Sequence, residues 1–400
     1  MKVLVINAGS SSLKFQLFDM NNEKVIAKGN CEKIGLEGSF IGYKTKGDKK
    51  EVMVKMPDHK VAVQKVFEVL TNKNDGVIKS VDEISAVGHR FVHGGWLFDE
   101  SVVLTEEILD KLSMLTDLSP LHVHGNMAGI RGCQAVMPNV PHVLVFDTAF
   151  HATMPAKAYM YGINYEDYEK YHIRKYGFHG TSHRFVTQEV AKLLKKKPED
   201  LKVITVHLGN GSSITAVDHG KSVDTTMGLT PLEGLIMGTR SGDLDPSVVS
   251  YLAEKKSMTA SEVVNYLNKK SGIAGISGVS SDMRELNAAI KEGNERARLA
   301  LDMLIYRVKK YIGSYMAVLG GADAIVFTGG IGENQEDLRE EALAGMEYCG
   351  IKIDVKKNNS LPRGTVEEIS TKSSKVKVFR IPTDEELMIA RDTKRLVEVK

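Results

Sequence analysis

Two related α/β domains are what this chain predicts, on three observations. The first is an apolar strand that runs into a Gly/Ser turn and out into a second strand at the start of the chain, Lys2-Val-Leu-Val-Ile-Asn7-Ala-Gly9-Ser10-Ser11-Ser12-Leu-Lys14-Phe15. The second is the return of that pattern in Lys202-Val203-Ile-Thr-Val-His207-Leu-Gly209-Asn210-Gly211-Ser212-Ser213. There Lys2, Val3, Gly9 and Ser12 recur as Lys202, Val203, Gly209 and Ser212, and Asp19 finds a near-counterpart in Asp218. Duplication of this kind implies two structurally similar halves, expected to face one cleft. The third is size: 400 residues at 42% apolar composition exceed one ordinary core and suffice for two.

The turns have the chemistry of anion sites. A glycine lets the backbone approach without a Cβ, serines add hydroxyl and amide donors, and Lys14 brings a mobile positive charge. The full Walker pattern Gly-x-x-x-x-Gly-Lys-Ser/Thr does not occur, so neither turn is a P-loop. A third Gly-rich turn, Thr328-Gly329-Gly330-Ile331-Gly332-Glu333-Asn334, follows the apolar run Ile325–Phe327. Three such turns suit one extended nucleotide.

The elements follow in order. The opening reads as β-rich, with strands expected over 2–6, 13–19, 24–30, 37–43 and 50–55, followed by helical patterns over 58–72, 105–116 and 124–136. Thr105, with Glu106 and Glu107 behind it, reads as the start of the second helix. A strand over 143–146 delivers Asp147 to its carboxyl end, where open α/β sheets place ligands. After the second hairpin, helical patterns cover 246–255, 259–270, 281–291 and 293–319, before strands at 324–327 and 376–381. Pro382-Thr-Asp-Glu385-Glu386 opens a last helix to about 396. The expected domains are 1–147 with 383–400, and 148–382.

Composition narrows the function classes. A net charge of +2 without a basic stripe argues against nucleic acid, and Lys195-Lys196-Lys197 reads as a solvated helix end. No apolar run is long enough for a signal region or a membrane span, so a cytoplasmic protein is expected. Three cysteines, Cys31, Cys133 and Cys349, make neither a disulfide framework nor a metal site and read as small buried hydrophobes. His122-Val-His124 and His179-Gly-Thr-Ser-His183 have spacings a metal could use, but Gly180 stands where a zincin needs Glu.

Together the motifs carry a resemblance. Asn7-Ala-Gly-Ser-Ser-Ser-Leu-Lys14-Phe15, Asp147-Thr-Ala-Phe-His151, Tyr176-Gly-Phe-His179-Gly-Thr-Ser-His183, His207-Leu-Gly-Asn-Gly-Ser-Ser213, Met237-Gly-Thr-Arg240-Ser-Gly-Asp-Leu-Asp245-Pro246 and Phe327-Thr-Gly-Gly-Ile-Gly-Glu-Asn334 resemble those of the acetate kinase family. They lie in family order from end to end of the chain. The resemblance implies two duplicated actin/hexokinase-like (ribonuclease H-like) domains around an interdomain nucleotide cleft, usually in a homodimer; closure of the two halves is expected separately, because water would otherwise take the phosphoryl group. The implied reaction is reversible, magnesium-dependent transfer from ATP to acetate, giving ADP and acetyl phosphate, with manganese able to replace magnesium.

An ionised carboxylate needs no general base; it needs to be brought to ~3–3.5 Å from another anion, so positive charge should dominate the site. Arg90, in Val87-Gly-His-Arg90-Phe-Val-His93, and Arg240, in Gly238-Thr-Arg240-Ser-Gly242, are the suppliers. The resemblance puts Arg90 on the substrate carboxylate and Arg240 and His179 on the transferring phosphoryl group. Asp147 is expected to orient rather than to abstract a proton. Val92, Leu121, Phe178 and Pro231 match the small apolar pocket for the acetate methyl, Asn7 and Glu385 the magnesium positions. Lys14, His207, Leu208, Gly209, Asn210, Gly211, Asp282, Met283, Arg284, Gly330, Ile331, Gly332, Glu333 and Asn334 match the ATP site, where the resemblance puts His207 to Gly211 on phosphate and Asp282 to Arg284 with Gly330 to Asn334 around ribose and adenine. Two other readings remain at this stage: a kinase preferring propionate or butyrate, and an actin- or chaperone-like ATPase of the same fold.

Overall fold

The computed structural model describes residues 1–118 and 120–399, with only the backbone described at 117 and 120–122. The chain divides into two units, residues 1–150 with 384–400, and residues 151–383.

The first unit is built on eight strands: β1 (Lys2–Ala8), β2 (Ser12–Asp19), β3 (Lys24–Glu32), β4 (Phe40–Lys44), β5 (Lys50–Met53), β6 (Ala86–Phe91), β7 (Val102–Val103) and β8 (His142–Phe146). Their spatial order is β5-β4-β3-β2-β1-β6-β8-β7. β1 to β5 form an antiparallel meander, and β6 joins β1, and β8 joins β6, in parallel. Because side chains alternate along a strand, β1 feeds two cores. Leu4, Ile6 and Ala8 pack among the side chains of the helix His59–Leu70, while Val3 and Val5 pack with Val143, Val145, Ile389 and Ala390. The last two belong to the helix Glu385–Glu398, which covers the other sheet face.

The second unit has six strands: β9 (Lys202–Leu208), β10 (Ser212–Asp218), β11 (Lys221–Thr225), β12 (Ala324–Thr328), β13 (Glu367–Glu368) and β14 (Lys377–Arg380). Their order, β11-β10-β9-β12-β14-β13, repeats the central run β3-β2-β1-β6-β8 of the first sheet, antiparallel hairpin strands followed by parallel ones. This is the duplication the sequence repeat predicts. Lys2 pairs with Asp19 and Lys202 with Asp218, so the second turn is one residue shorter, which is why Asp218 sits one place early. The helix Glu295–Leu319 lays Leu304, Val308, Ile312 and Tyr315 on Ile204, Val206 and Phe327. The opposite face carries Gly180–Leu194.

Several sequence expectations need correction. Arg90 lies within β6, a strand absent from those expected from the sequence. The third Gly-rich turn is a short helix, Gly329–Asn334, directly after β12. Cys349 is only half-buried, its thiol donating to the Met346 carbonyl at 3.0 Å. Helix Gly180–Leu194 has no sequence signal of its own: it starts at Gly-Thr-Ser, and its N-cap His179 makes no side-chain cap bond. Lys195, Lys196 and Lys197 are exposed at its end, and Thr105 does cap the helix Glu106–Ser113. No helix among the described residues is long and apolar enough to cross a membrane.

Candidate active site

In the first unit the chemistry gathers at the carboxyl ends of β1, β6 and β8. Parallel pairing sets Arg90 beside Val145 and Phe91 beside Phe146, so Asp147, one residue beyond β8, reaches back to Arg90. Arg90 Nε donates to Asp147 Oδ1 at 3.0 Å, its Nη2 to Oδ2 at 2.5 Å, and its Nη1 to Asn7 Oδ1 at 3.3 Å. Asp147 is buried, with both oxygens engaged, and its charge holds the guanidinium ionised well beyond the usual arginine range. A guanidinium has five N–H groups. Three are committed here, which leaves one on each terminal nitrogen for the oxygens of an anion.

Glu385 opens the helix Glu385–Glu398 beside this pair. Burial, and then Asp147 and Glu386, push its carboxyl up to about 7 against the opposing pull of Arg90 and Lys14. Three carboxylates thus share one arginine, and the donors on hand, Asn7 and Glu385, are all oxygen, a set that suits a hard divalent cation. Lys14 is exposed on β2. The β1–β2 turn is fixed from behind. Helix Pro120–Val136 passes so close that a Cβ on Gly125 would lie 2.6 Å from the Gly9 carbonyl carbon, and Asn126 bridges the Ala8 carbonyl (2.6 Å) and the Val92 amide (3.0 Å). Sequence reasoning missed Asn126; its position one turn after the apolar start of that helix offered no signal. Val92 is buried, and the Leu121 side chain lies outside the described residues.

In the second unit Arg240, His179 and the Gly209–Gly211 turn converge. A Cβ on Gly211 would stand 3.2 Å from His179 Nε2 and 3.4 Å from Arg240 Nη1, so the open face of this glycine is shared by both. His179, half-buried, stacks on His207 with centroids 4.3 Å apart, and its Nδ1 bonds Ser213 Oγ at 2.8 Å. Ser213 also meets His183, and His207 Nδ1 meets Ser182. These serines tie the ring orientations to the hairpin and to the helix Gly180–Leu194. Arg240 donates from Nη1 to the Pro231 carbonyl at 3.1 Å, and among the described residues no carboxylate pairs with it. Burial alone lowers its pKa, the mark of a cation still lacking its anion. Phe178 is buried and gives its carbonyl to His151 Nε2.

A cavity of about 480 Å³ in the same unit is lined by Gly209, Asn210, Asp282, Met283, Arg284, Gly330, Ile331 and Asn334, all read from the sequence as nucleotide residues, and by Ser281, Gln335 and Arg363, which were not. Within Gly329–Asn334, helical periodicity turns 330, 331 and 334 to one side. Gly332 instead gives its carbonyl to Arg339, and Glu333 accepts from the Thr383 amide. Leu208 points into the core.

Buried histidines make stability acid-sensitive. Burial lowers His151 to about 4 and holds His89, His142 and His183 below their ordinary value. The unfolded chain therefore takes up protons from about pH 6.5 downward that the fold refuses, and stability falls as pH drops through that window. His151 alone contributes ~3 kcal/mol. Glu385, Asp224 and Glu333, raised by burial, work the other way but are fewer. Thermal melts from pH 7 to 4.5 should show a falling Tm; a flat Tm would mean that the histidines charge within the fold.

Sheets of this duplicated order, one with an arginine–aspartate clamp and the other with an unpaired arginine over a Gly-rich turn and a cavity, define a phosphotransferase of the actin/hexokinase-like fold. The acetokinase family model matches residues 2–391, and the chain belongs to that family. An acetate kinase from Treponema denticola is 58% identical over 399 residues, the whole of both chains. Among solved structures, Porphyromonas gingivalis acetate kinase aligns over 99% of each chain at 47% identity with a TM-score of 0.96. A propionate kinase from Francisella tularensis aligns over 99% of each at 41% and 0.91.

Proposed function

We propose that this kinase phosphorylates acetate from ATP, reversibly, giving acetyl phosphate and ADP by direct in-line transfer. The observation that carries this reading is the Arg90 fork. Clamped by Asp147 and Asn7, it presents its two remaining N–H groups as a preset receptor for a carboxylate, which is already the nucleophile. Asp147, with both oxygens spent on Arg90, orients and does not abstract a proton. Arg240, with no carboxylate of its own, and His179, fixed by Ser213, are suited to the charge that spreads over the phosphoryl oxygens in the transition state. The Gly209–Gly211 turn and the 480 Å³ cavity suit the nucleotide.

Asn7 and Glu385 would hold a divalent cation, magnesium or manganese, which when bound neutralises phosphate charge. A homodimer in the cytoplasm completes the reading; sedimentation at twice the chain mass tests the dimer.

The second reading, a preference for propionate, is favoured by the Francisella neighbour. Val92, Leu121, Phe178 and Pro231 are the residues assigned to the acid's apolar end, and one more methylene changes binding by only ~1–3 kcal/mol. Hydroxylamine trapping of acyl phosphate from ATP, magnesium and acetate, propionate, butyrate or no acid decides between them. The expected result is acid-dependent product, about tenfold slower with propionate and about a hundredfold slower with butyrate. Faster trapping with propionate would select the second reading, and ATP loss with no trapped product would select an ATPase.

A further inference from the structure

The nucleotide cavity holds two arginines with opposite commitments. Arg284 is spent locally, its Nε on Asp282 Oδ1 at 3.1 Å and its Nη2 on Oδ2 at 2.5 Å, and Asp282 in turn caps the helix Met283–Lys291. Arg363 lines the same cavity from the loop after residue 358, distant in sequence from every motif, and is exposed. Among the described residues no hydrogen bond or ion pair engages its guanidinium. It is therefore the uncompensated positive charge of a cavity that also includes Gly209 and Asn210 of the turn assigned to phosphate.

An exposed arginine on a loose loop would mean little, but this loop is fixed on both sides of residue 363. Arg380, 2% exposed at the end of β14, donates from Nη2 to the Pro362 carbonyl at 2.6 Å and to the Thr365 carbonyl at 2.8 Å, and from Nε to the latter at 3.2 Å. A further bond reaches the Thr365 hydroxyl. Among the described residues every hydrogen bond of the Arg380 side chain goes to Pro362 or Thr365, which bracket Arg363 and Gly364, and a buried cation is an expensive way to hold a plain surface loop. It is a sound way to preset a charged side chain, since a guanidinium held in place loses less freedom on binding.

We propose that Arg363 is a nucleotide-binding residue of this kinase, contacting the polyphosphate, and that Arg380 is its positioning residue. The proposal rests on the kinase reading of the same cavity. Its test is calorimetric binding of ATP, ADP and AMP to the full chain, with steady-state kinetics, for Arg363→Ala, Arg363→Lys, Arg380→Lys and the Arg363→Ala/Arg380→Lys double variant. Arg363→Ala should weaken ATP and ADP binding and raise the nucleotide KM by ~10-fold, the scale of one lost charge-assisted hydrogen bond. AMP should lose less, the acetate KM and kcat should stay within about twofold, and Arg363→Lys should recover part of the loss. Arg380→Lys should raise the nucleotide KM in the parent chain and add nothing in the Arg363→Ala background, a coupling that a merely structural role would not produce. Unchanged ATP and ADP binding in Arg363→Ala overturns the proposal while the kinase reading stands. An equal loss for AMP overturns the polyphosphate contact, additive effects of the two substitutions overturn the role of Arg380, and a parent chain that binds no nucleotide overturns both proposal and reading.

Discussion

Arg240→Ala is expected to lower kcat by ~10³ while leaving the Tm unchanged or slightly raised. The two halves of that result come from one fact: Arg240 is desolvated and has no carboxylate partner among the described residues, only the Pro231 carbonyl and the Met237 sulfur. A cation held that way costs the fold something and returns little to it, so its loss should not destabilise. Its worth appears only when negative charge arrives, most of all in the transition state, where one lost charge-stabilising donor costs on the order of 10²–10³ in rate. Nucleotide KM should change much less than kcat, because an interaction strongest in the transition state is lost from turnover rather than from ground-state binding. Arg240→Lys should recover little, since a point charge cannot reproduce two coplanar donors. Steady-state kinetics with melting curves checks this. A kcat within tenfold of the parent would remove Arg240 from the chemistry, and a collapse of Tm would make it a structural arginine.

The elements and the motif residues were legible because their signals are local. A short apolar run marks β1, alternating apolar residues mark β2 and β9, and a glycine next to a serine marks a turn wherever the rest of the chain goes. What holds the motif residues was not legible, because it depends on register. Ser213 fixes His179 from 34 residues away, and Arg90 meets Asp147 only because β6 and β8 are parallel neighbours in one particular alignment. Asn126 and Arg380 act through carbonyls and amides that any residue could supply, so no sequence pattern announces their partners. Arg363 is the extreme case: a lone arginine in a polar stretch, Asn358-Asn359-Ser360-Leu361-Pro362-Arg363-Gly364, whose place in a cavity appears only when the loop is folded and tied. The start of the helix Gly180–Leu194 was hidden for a different reason. Its first turn buries Gly180, Thr181, Ser182 and His183, residues that ordinarily mark a loop, and tertiary packing overrides that propensity.

The Arg90–Asp147 pair makes the other large prediction, and its effects on activity and on stability should separate. Arg90→Ala removes the receptor for the acid and should lower kcat/KM for acetate by ~10³ or more. It also strands Asp147, which is 2% exposed, as an uncompensated charge next to Glu385 and Glu386, at a cost of ~3–5 kcal/mol. For a unit of this size that is a fall in Tm of roughly 10 °C. Removing the stranded charge should restore much of the stability and none of the activity, so the Arg90→Ala/Asp147→Asn double variant should melt well above Arg90→Ala while remaining as inactive. Asp147→Asn alone keeps one acceptor for the Arg90 fork but loses the charge that anchors it. It should raise the acetate KM and lower kcat by ~10², with a pH–rate profile of unchanged shape, because no proton passes through residue 147. If Asp147→Asn instead abolishes an acidic limb present in the parent, the carboxylate is a general base and its bidentate bond to Arg90 opens during turnover. If the double variant melts no higher than Arg90→Ala, the buried charge is compensated by something other than the arginine, and the receptor geometry built on that clamp fails with it.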